Sequence, residues 1–92
     1  MSQDHKQQIL SRLKSIEGHV RGVHRMGEED KYCIDVIKQT LAIQRALDMV
    51  NTLMLGNHLN TCVTTAIRSQ DAAERERVIS ELLDVFEAAA KL

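Results

Sequence analysis

Residues 32–66 read YCIDVIKQTLAIQRALDMVNTLMLGNHLNTCVTTA, and their reading decides the fold. The stretch has no proline, and Val36, Ile37, Thr40, Leu41, Ile43, Leu47, Val50, Leu53, Met54 and Leu55 spread a broad apolar surface along it at helical spacing. It reads as one very long helix, with Gly56-Asn57 as a weak spot in a continuing rod. A true break there would damage the geometry that follows. The apolar surface is wider than one partner needs, which suits packing against an earlier helix on one side and a second subunit on the other.

The same stretch carries both cysteines, Cys33 and Cys62, with His58 one turn before the second. At about 100° per residue, the net rotation from Cys33 is roughly −20° to His58 and roughly +20° to Cys62. All three therefore share a stripe. At ~1.5 Å of rise per residue, however, Cys33 and His58 stand about 37 Å apart along the axis. One chain cannot gather them. Two chains can, if their long helices pack antiparallel about a twofold near Ala46 and Leu47, each isologous dimer then holding two equal sites.

Working outward, Ile9, Leu13, Ile16, Val20 and Val23 mark a first helix from about residue 4 to 26, with Asp4 as N-cap or first-turn acid and Gly27 as its stop. Gly18 and Gly22 sit inside it and suggest close approach of another helix. Glu28-Glu29-Asp30 forms an acidic link, with Asp30 as N-cap of the second helix. After a turn at Arg68-Ser69-Gln70-Asp71, Val78, Ile79, Leu82, Val85, Phe86 and Ala89 mark a third helix. The expectation is a single all-α domain over residues 1–92. No linker, repeat or period-2 strand pattern is present.

With 92 residues, one Phe, one Tyr and no Trp, the chain is near the size at which a lone core is marginal, so oligomerisation should supply much of the burial. The amino-terminal segment lacks the apolar stretch of a secretory signal, and no apolar run reaches membrane-spanning length. A soluble cytoplasmic protein without a membrane partner is expected, and there two distant cysteines are more naturally metal ligands or redox thiols than a structural disulfide. The net charge of −1 hides an asymmetry. Residues 1–27 carry five basic and two acidic side chains, whereas residues 68–92 carry four basic and six acidic ones. The first helix is the basic part, with His5, His19 and His24 beside it.

Two thiolates and one imidazole make a soft trigonal donor set that favours Cu(I) and lacks the fourth ligand of structural zinc. A lone His-x₃-Cys is nevertheless a weak motif, and the spacing alone leaves open that the cysteines are simply buried. No Ser-His-Asp order, phosphate-binding glycine loop or supported carboxylate pair is found, so neither an enzyme nor a small-molecule substrate is expected.

The motifs RLKSIEGHVRG (12–22), YC (32–33), KQTLAIQRAL (38–47), NHLNTC (57–62) and ELLD (81–84) resemble those of the copper-sensitive operon repressor (CsoR) family, which includes nickel/cobalt, formaldehyde and persulfide sensors. The resemblance implies a three-helix protomer with a long central helix, an antiparallel homodimer and a homotetramer assembled as a dimer of dimers. It implies Cu(I) bound by Cys33 of one subunit and His58 and Cys62 of another, with Tyr32 and Glu81 hydrogen-bonding around the liganding histidine. It further implies a repressor that holds operator DNA when metal-free, through basic residues such as Arg12, with Lys14, Arg21 and Arg45 adding charge. A second DNA-contact position, basic in related repressors, is Met49 here. The persulfide branch has Asn where this chain has His58, the nickel branch an amino-terminal His where this chain has Met1, and the formaldehyde branch lacks the second Cys. A sulfur-sensing repressor using Cys33 and Cys62, or a copper-buffering protein without DNA binding, are the rival expectations.

Overall fold

The computed structural model describes residues 1–91, which fold as α1 (Gln3–Glu28), α2 (Cys33–His58), a π-helical turn (Leu59–Val63), α3 (Thr64–Arg68) and α4 (Ala72–Ala90). α2, the π-turn and α3 follow without an intervening loop and make the long central helix. Gly56-Asn57 does not break it. The all-α class and the three-helix plan with a long centre are as expected. Close contacts divide the chain into two units, Met1–Gly56 and Asn57–Leu92.

In the first unit, Ser2 and not Asp4 caps α1, its hydroxyl accepting from the His5 backbone N–H at 3.2 Å, while Asp4 is the first-turn acid facing the helix dipole. The stop also differs from the expected Gly27. Asp30 takes the left-handed conformation at φ 54°, its N–H bonds the Gly27 carbonyl, and the Lys31 N–H bonds the Met26 carbonyl. This is a Schellman closure in which an Asp occupies the position glycine usually takes. Asp30 therefore ends α1 and is not free to cap α2. The Tyr32 carbonyl opens α2 instead, accepting from Asp35 and Val36.

The short link folds α1 and α2 into a helical hairpin. Ile9, Ile16 and Val50 form its buried core, with Ile43, Ala46 and Leu53 packed against it. Nearer the turn, His19 Nε2 donates to Gln39 Oε1 at 2.7 Å and ties the helices together. The close approach expected at Gly18 and Gly22 is not found within the chain: a Cβ on Gly18 would meet only Arg21 Nη2 at 3.8 Å, and one on Gly22 nothing within 4 Å. Gly18→Ala should therefore stabilise the protein by about 1 kcal/mol in denaturant titration, the helix-propensity difference alone. A loss of stability would mean that another copy packs against this glycine.

In the second unit, Val63, Ala66 and Val78 are buried. α4 begins at a cap: Asp71 Oδ1 accepts the N–H groups of Ala73 at 3.0 Å and Glu74 at 3.4 Å. Arg75 reaches back to the Ser69 carbonyl across the same turn. Asp71→Ala should cost about 1 kcal/mol and show as early loss of helix signal on heating.

Neither unit covers its own apolar surface. Ile34, Ile37 and Leu41 form an exposed stripe on α2, and Ile79, Leu83, Val85 and Phe86 are exposed on α4, Phe86 at 62%. The core of the described residues is correspondingly small, six buried hydrophobic side chains. Exposed apolar side chains of this number are available to a further packing surface.

Candidate metal centre

Cys33 opens the central helix, and His58 and Cys62 lie in its second half. Cys33 is the first residue of α2 and His58 the last. Unbroken α-helix between them gives about 37 Å of rise, so the two side chains cannot reach one ion within a chain. Both cysteines are free thiols and both are exposed. Among the described residues, no three His, Cys, Asp or Glu side chains converge on a common point.

Cys62 lies in the π-turn, and the turn has a local cause. The Leu59 carbonyl accepts the Thr64 backbone N–H five residues on, and also Thr64 Oγ1 at 2.6 Å. Thr61 Oγ1 donates to the Asn57 carbonyl at 2.8 Å and lies 3.7 Å from Cys62 Sγ. Threonine hydroxyls that bond back to carbonyls one turn earlier loosen a helix, and Gly56 has already lowered its local propensity. The extra residue in this turn corrects the stripe arithmetic, which assumed 3.6 residues per turn throughout. Cys62 turns less far past His58 than an α-helix would carry it. The alignment holds strictly for Cys33 and His58, which share α2. Three threonines among Thr61-Cys62-Val63-Thr64-Thr65, just after Gly56, were the available signal.

Cys62 opens on a cleft of about 550 Å³ lined by Thr61, Thr65, Ala66, Ser69, Glu74 and Arg77. Arg77 bridges two carboxylates, with Nε 3.1 Å from Glu74 Oε2 and Nη1 2.5 Å from Glu81 Oε1. The hydrogen bond from Arg77 holds the Glu74 carboxyl below its ordinary value. Its stabilising effect is thus present above the usual carboxylate range and lost as pH falls through the lowered value; solvent screening at this surface pair keeps it small. Glu81 is thereby anchored on α4. Tyr32, just before α2, is 67% exposed.

The basic candidates separate into different surroundings. Arg12 lines a cleft in the hairpin with Ser11, Ser15, Ile16, His19 and Ala46. Arg21 is paired with Glu17 at 2.8 Å on an exposed face. Lys14 and Arg45 are exposed, and Met49 is 46% exposed. Reading the sequence singled out Arg12 but not its neighbours Ser11, Ser15 and His19, although their spacing along one helix was visible.

A family model described as metal-sensitive transcriptional repressor matches residues 5–88. The chain belongs to this family. It is 47% identical over 90 residues to the copper-sensing transcriptional repressor CsoR of Bacillus subtilis, covering 98% of this chain and 86% of that protein. It is 44% identical over 79 residues to the copper-sensing transcriptional repressor CsoR of Mycobacterium tuberculosis, covering 86% of this chain and 64% of that longer protein, just under two thirds. The fold is similar to the crystal structure of the copper-sensing repressor CsoR with Cu(I) from Geobacillus thermodenitrificans. That match has a TM-score of 0.88 and 42% identity, and covers 98% of this chain and 91% of the other. Repressor function is therefore that of the family, and the resemblance carried by the motifs is borne out. No helix among the described residues is long and apolar enough to cross a membrane.

Proposed function

We propose that this protein is a cytoplasmic Cu(I)-responsive repressor that holds operator DNA when metal-free and releases it when Cu(I) is bound between subunits. One observation carries the reading: two free, exposed thiols and an imidazole sit at opposite ends of a helix too long for one chain to bring them together, on a fold similar to a Cu(I)-containing CsoR. The donor set fits the metal. Two soft thiolates and an imidazole suit Cu(I) in a three-coordinate site, and neither thiol is consumed by a disulfide.

Cys33 of one protomer and His58 and Cys62 of a second would hold the ion, in an antiparallel dimer with two equal sites. Exposed Ile34, Ile37 and Leu41 on α2 support such pairing, and the exposed α4 residues offer apolar surface for a dimer of dimers. Tyr32 and Glu81 would orient His58 through its second ring nitrogen, since an imidazole bound through one nitrogen needs the other fixed. Glu81 would then share its carboxylate with Arg77. The bonds supplied by Cu(I) would tie two central helices together and favour a tetramer shape with lower DNA affinity. By linkage, DNA must weaken Cu(I) binding by the same factor. Arg12, Lys14, Arg21 and Arg45 would supply phosphate contacts; Arg21 must share its guanidinium with Glu17.

The test is titration of a duplex, selected from a random pool by the metal-free protein, with and without Cu(I) under anaerobic reducing conditions. At least tenfold weaker binding with Cu(I) is expected, about 1.4 kcal/mol of coupling or more. Unchanged affinity would remove the copper-response reading. An intersubunit Cys33–Cys62 sulfur bridge after polysulfide treatment, seen by mass spectrometry together with weak Cu(I) binding, would favour the sulfur-sensing reading. Absence of any salt-dependent DNA binding would favour a copper buffer.

A further inference from the structure

Glu74, Arg77 and Glu81 succeed one another at steps of three and four on α4, so their side chains lie along one face of it. Arg77 joins them. Its Nε donates to Glu74 Oε2 at 3.1 Å and its Nη2 to Glu74 Oε1, a two-point bond that fixes the plane of the guanidinium. Its Nη1 then donates to Glu81 Oε1 at 2.5 Å. Among the described residues no donor lies on Glu81 Oε2, so one oxygen is held and the other is open. Glu74 and Arg77 also line the cleft on which Cys62 opens, which places the cluster beside the one thiol of the second unit.

The cluster is poorly suited to holding the fold together. The side chain of Arg77 is 54% exposed and those of its partners 41% and 50%, and exposed ion pairs within one helix contribute little to stability. What a fork on two carboxylates does supply is placement. A free glutamate must give up rotamer freedom before it can orient another group, whereas Glu81 has part of that freedom removed in advance. A lysine at the same position would supply the charge without the fork.

We propose that Arg77 is a positioning residue for copper sensing, holding Glu81 by one oxygen so that the other is ready to accept a hydrogen bond from the Tyr32 and His58 network when Cu(I) binds. The inference deepens the copper-repressor reading and rests on it for the role of Glu81. Glu74 is the base of the clamp, since its two bonds aim the guanidinium. The clamp acts on the metal-bound, DNA-free state. Its loss therefore lowers the Cu(I) affinity of the free protein and leaves that of the DNA-bound protein alone. By linkage, the factor by which Cu(I) weakens operator binding falls in the same ratio. The ratio is about fivefold, below the ~10–100-fold typical of groups bonded directly to a liganding imidazole, because Arg77 acts one bond further out.

The experiment uses the full-length protein and measures two quantities: anaerobic Cu(I) affinity by competition with a chelator, and affinity for the selected duplex with and without Cu(I). Arg77→Gln should lose about fivefold in Cu(I) affinity and about fivefold in the copper effect on the duplex. Arg77→Lys should lose nearly as much, because charge without the fork does not place Glu81. Glu74→Gln should lose about twofold, and it keeps the test open should the Arg77 variants lose helix signal. Glu81→Ala should lose more than Arg77→Gln, and adding Arg77→Gln to it should cost nothing further, since nothing is left to position. An ion pair that merely steadies α4 predicts separate, additive losses, and additivity would overturn the clamp. Full recovery in Arg77→Lys, or wild-type behaviour of Arg77→Gln, would overturn it too. If wild type binds Cu(I) tightly and its duplex affinity does not change, the repressor reading falls, while non-additive losses of Cu(I) affinity at Arg77 and Glu81 uphold the clamp. Weak Cu(I) binding by wild type would overturn both.

Discussion

Cys33→Ala should abolish tight Cu(I) binding while metal-free operator affinity stays within about twofold of wild type. Removing groups that merely orient a metal ligand commonly costs about 10–100-fold in affinity, so removing one of three ligands should cost more than about a hundredfold. In the proposed site the remaining thiol and imidazole would come from a different subunit than the lost thiol, and the sequence has no third cysteine to replace it. Stability should hardly change, because Cys33 is exposed and alanine extends a helix well. Operator binding should survive because Cys33 stands at the hairpin end of α2, about 20 Å of helix rise from Ala46, which lines the Arg12 cleft. Anaerobic competition with a chelator of known Cu(I) affinity measures the loss, and the selected duplex measures what remains. A variant that still binds Cu(I) tightly would place the site elsewhere.

Arg12→Ala should have the opposite signature. Operator affinity of the metal-free protein should fall about tenfold or more, and the slope of log affinity against log salt should flatten by about 0.9 for one lost phosphate contact. Cu(I) affinity should be unaltered, because none of the three ligand candidates lines the Arg12 cleft. The guanidinium is exposed enough to meet DNA, so the loss reports binding and not a collapsed hairpin. Lys14→Ala, on an exposed face without such a cleft, should cost less. Equal losses at both positions would mean that the basic helix attracts DNA only through its diffuse charge.

The helical plan was legible because its signals are repetitive: absence of proline, apolar spacing along three segments, and a rod long enough to separate Cys33 from His58. The expectation that Cys33 and His58 could share an ion only between two copies follows from that length alone. What was not legible depended on single hydrogen bonds. Asp30 read as a helix start because it follows two acids, whereas its left-handed backbone closes α1. Cys62 read as one α-turn beyond His58, whereas Thr64 bonds the Leu59 carbonyl across five residues and widens the turn. Gly18 and Gly22 read as a helix crossing, yet within the chain they face open space or an arginine tip. Tyr32 and Glu81 came only from the family motifs, since neither an exposed tyrosine nor a surface acid announces a role. His19 was passed over because a histidine on an amphipathic helix is commonplace; its bond to Gln39 is what distinguishes it.

The central claim is that each metal site is shared between two copies, and mixing two defective variants tests it most directly. Cys33→Ala and Cys62→Ala should each bind Cu(I) weakly as pure proteins. In a mixed antiparallel dimer one site loses both thiols, while the other keeps Cys33 from one chain and His58 and Cys62 from its mate. After the two are unfolded together and refolded in equal amounts, tight Cu(I) binding should return at about one quarter of the wild-type stoichiometry, since half the dimers are mixed and each has one intact site. A mixture that binds no more tightly than its separate components would contradict a shared site.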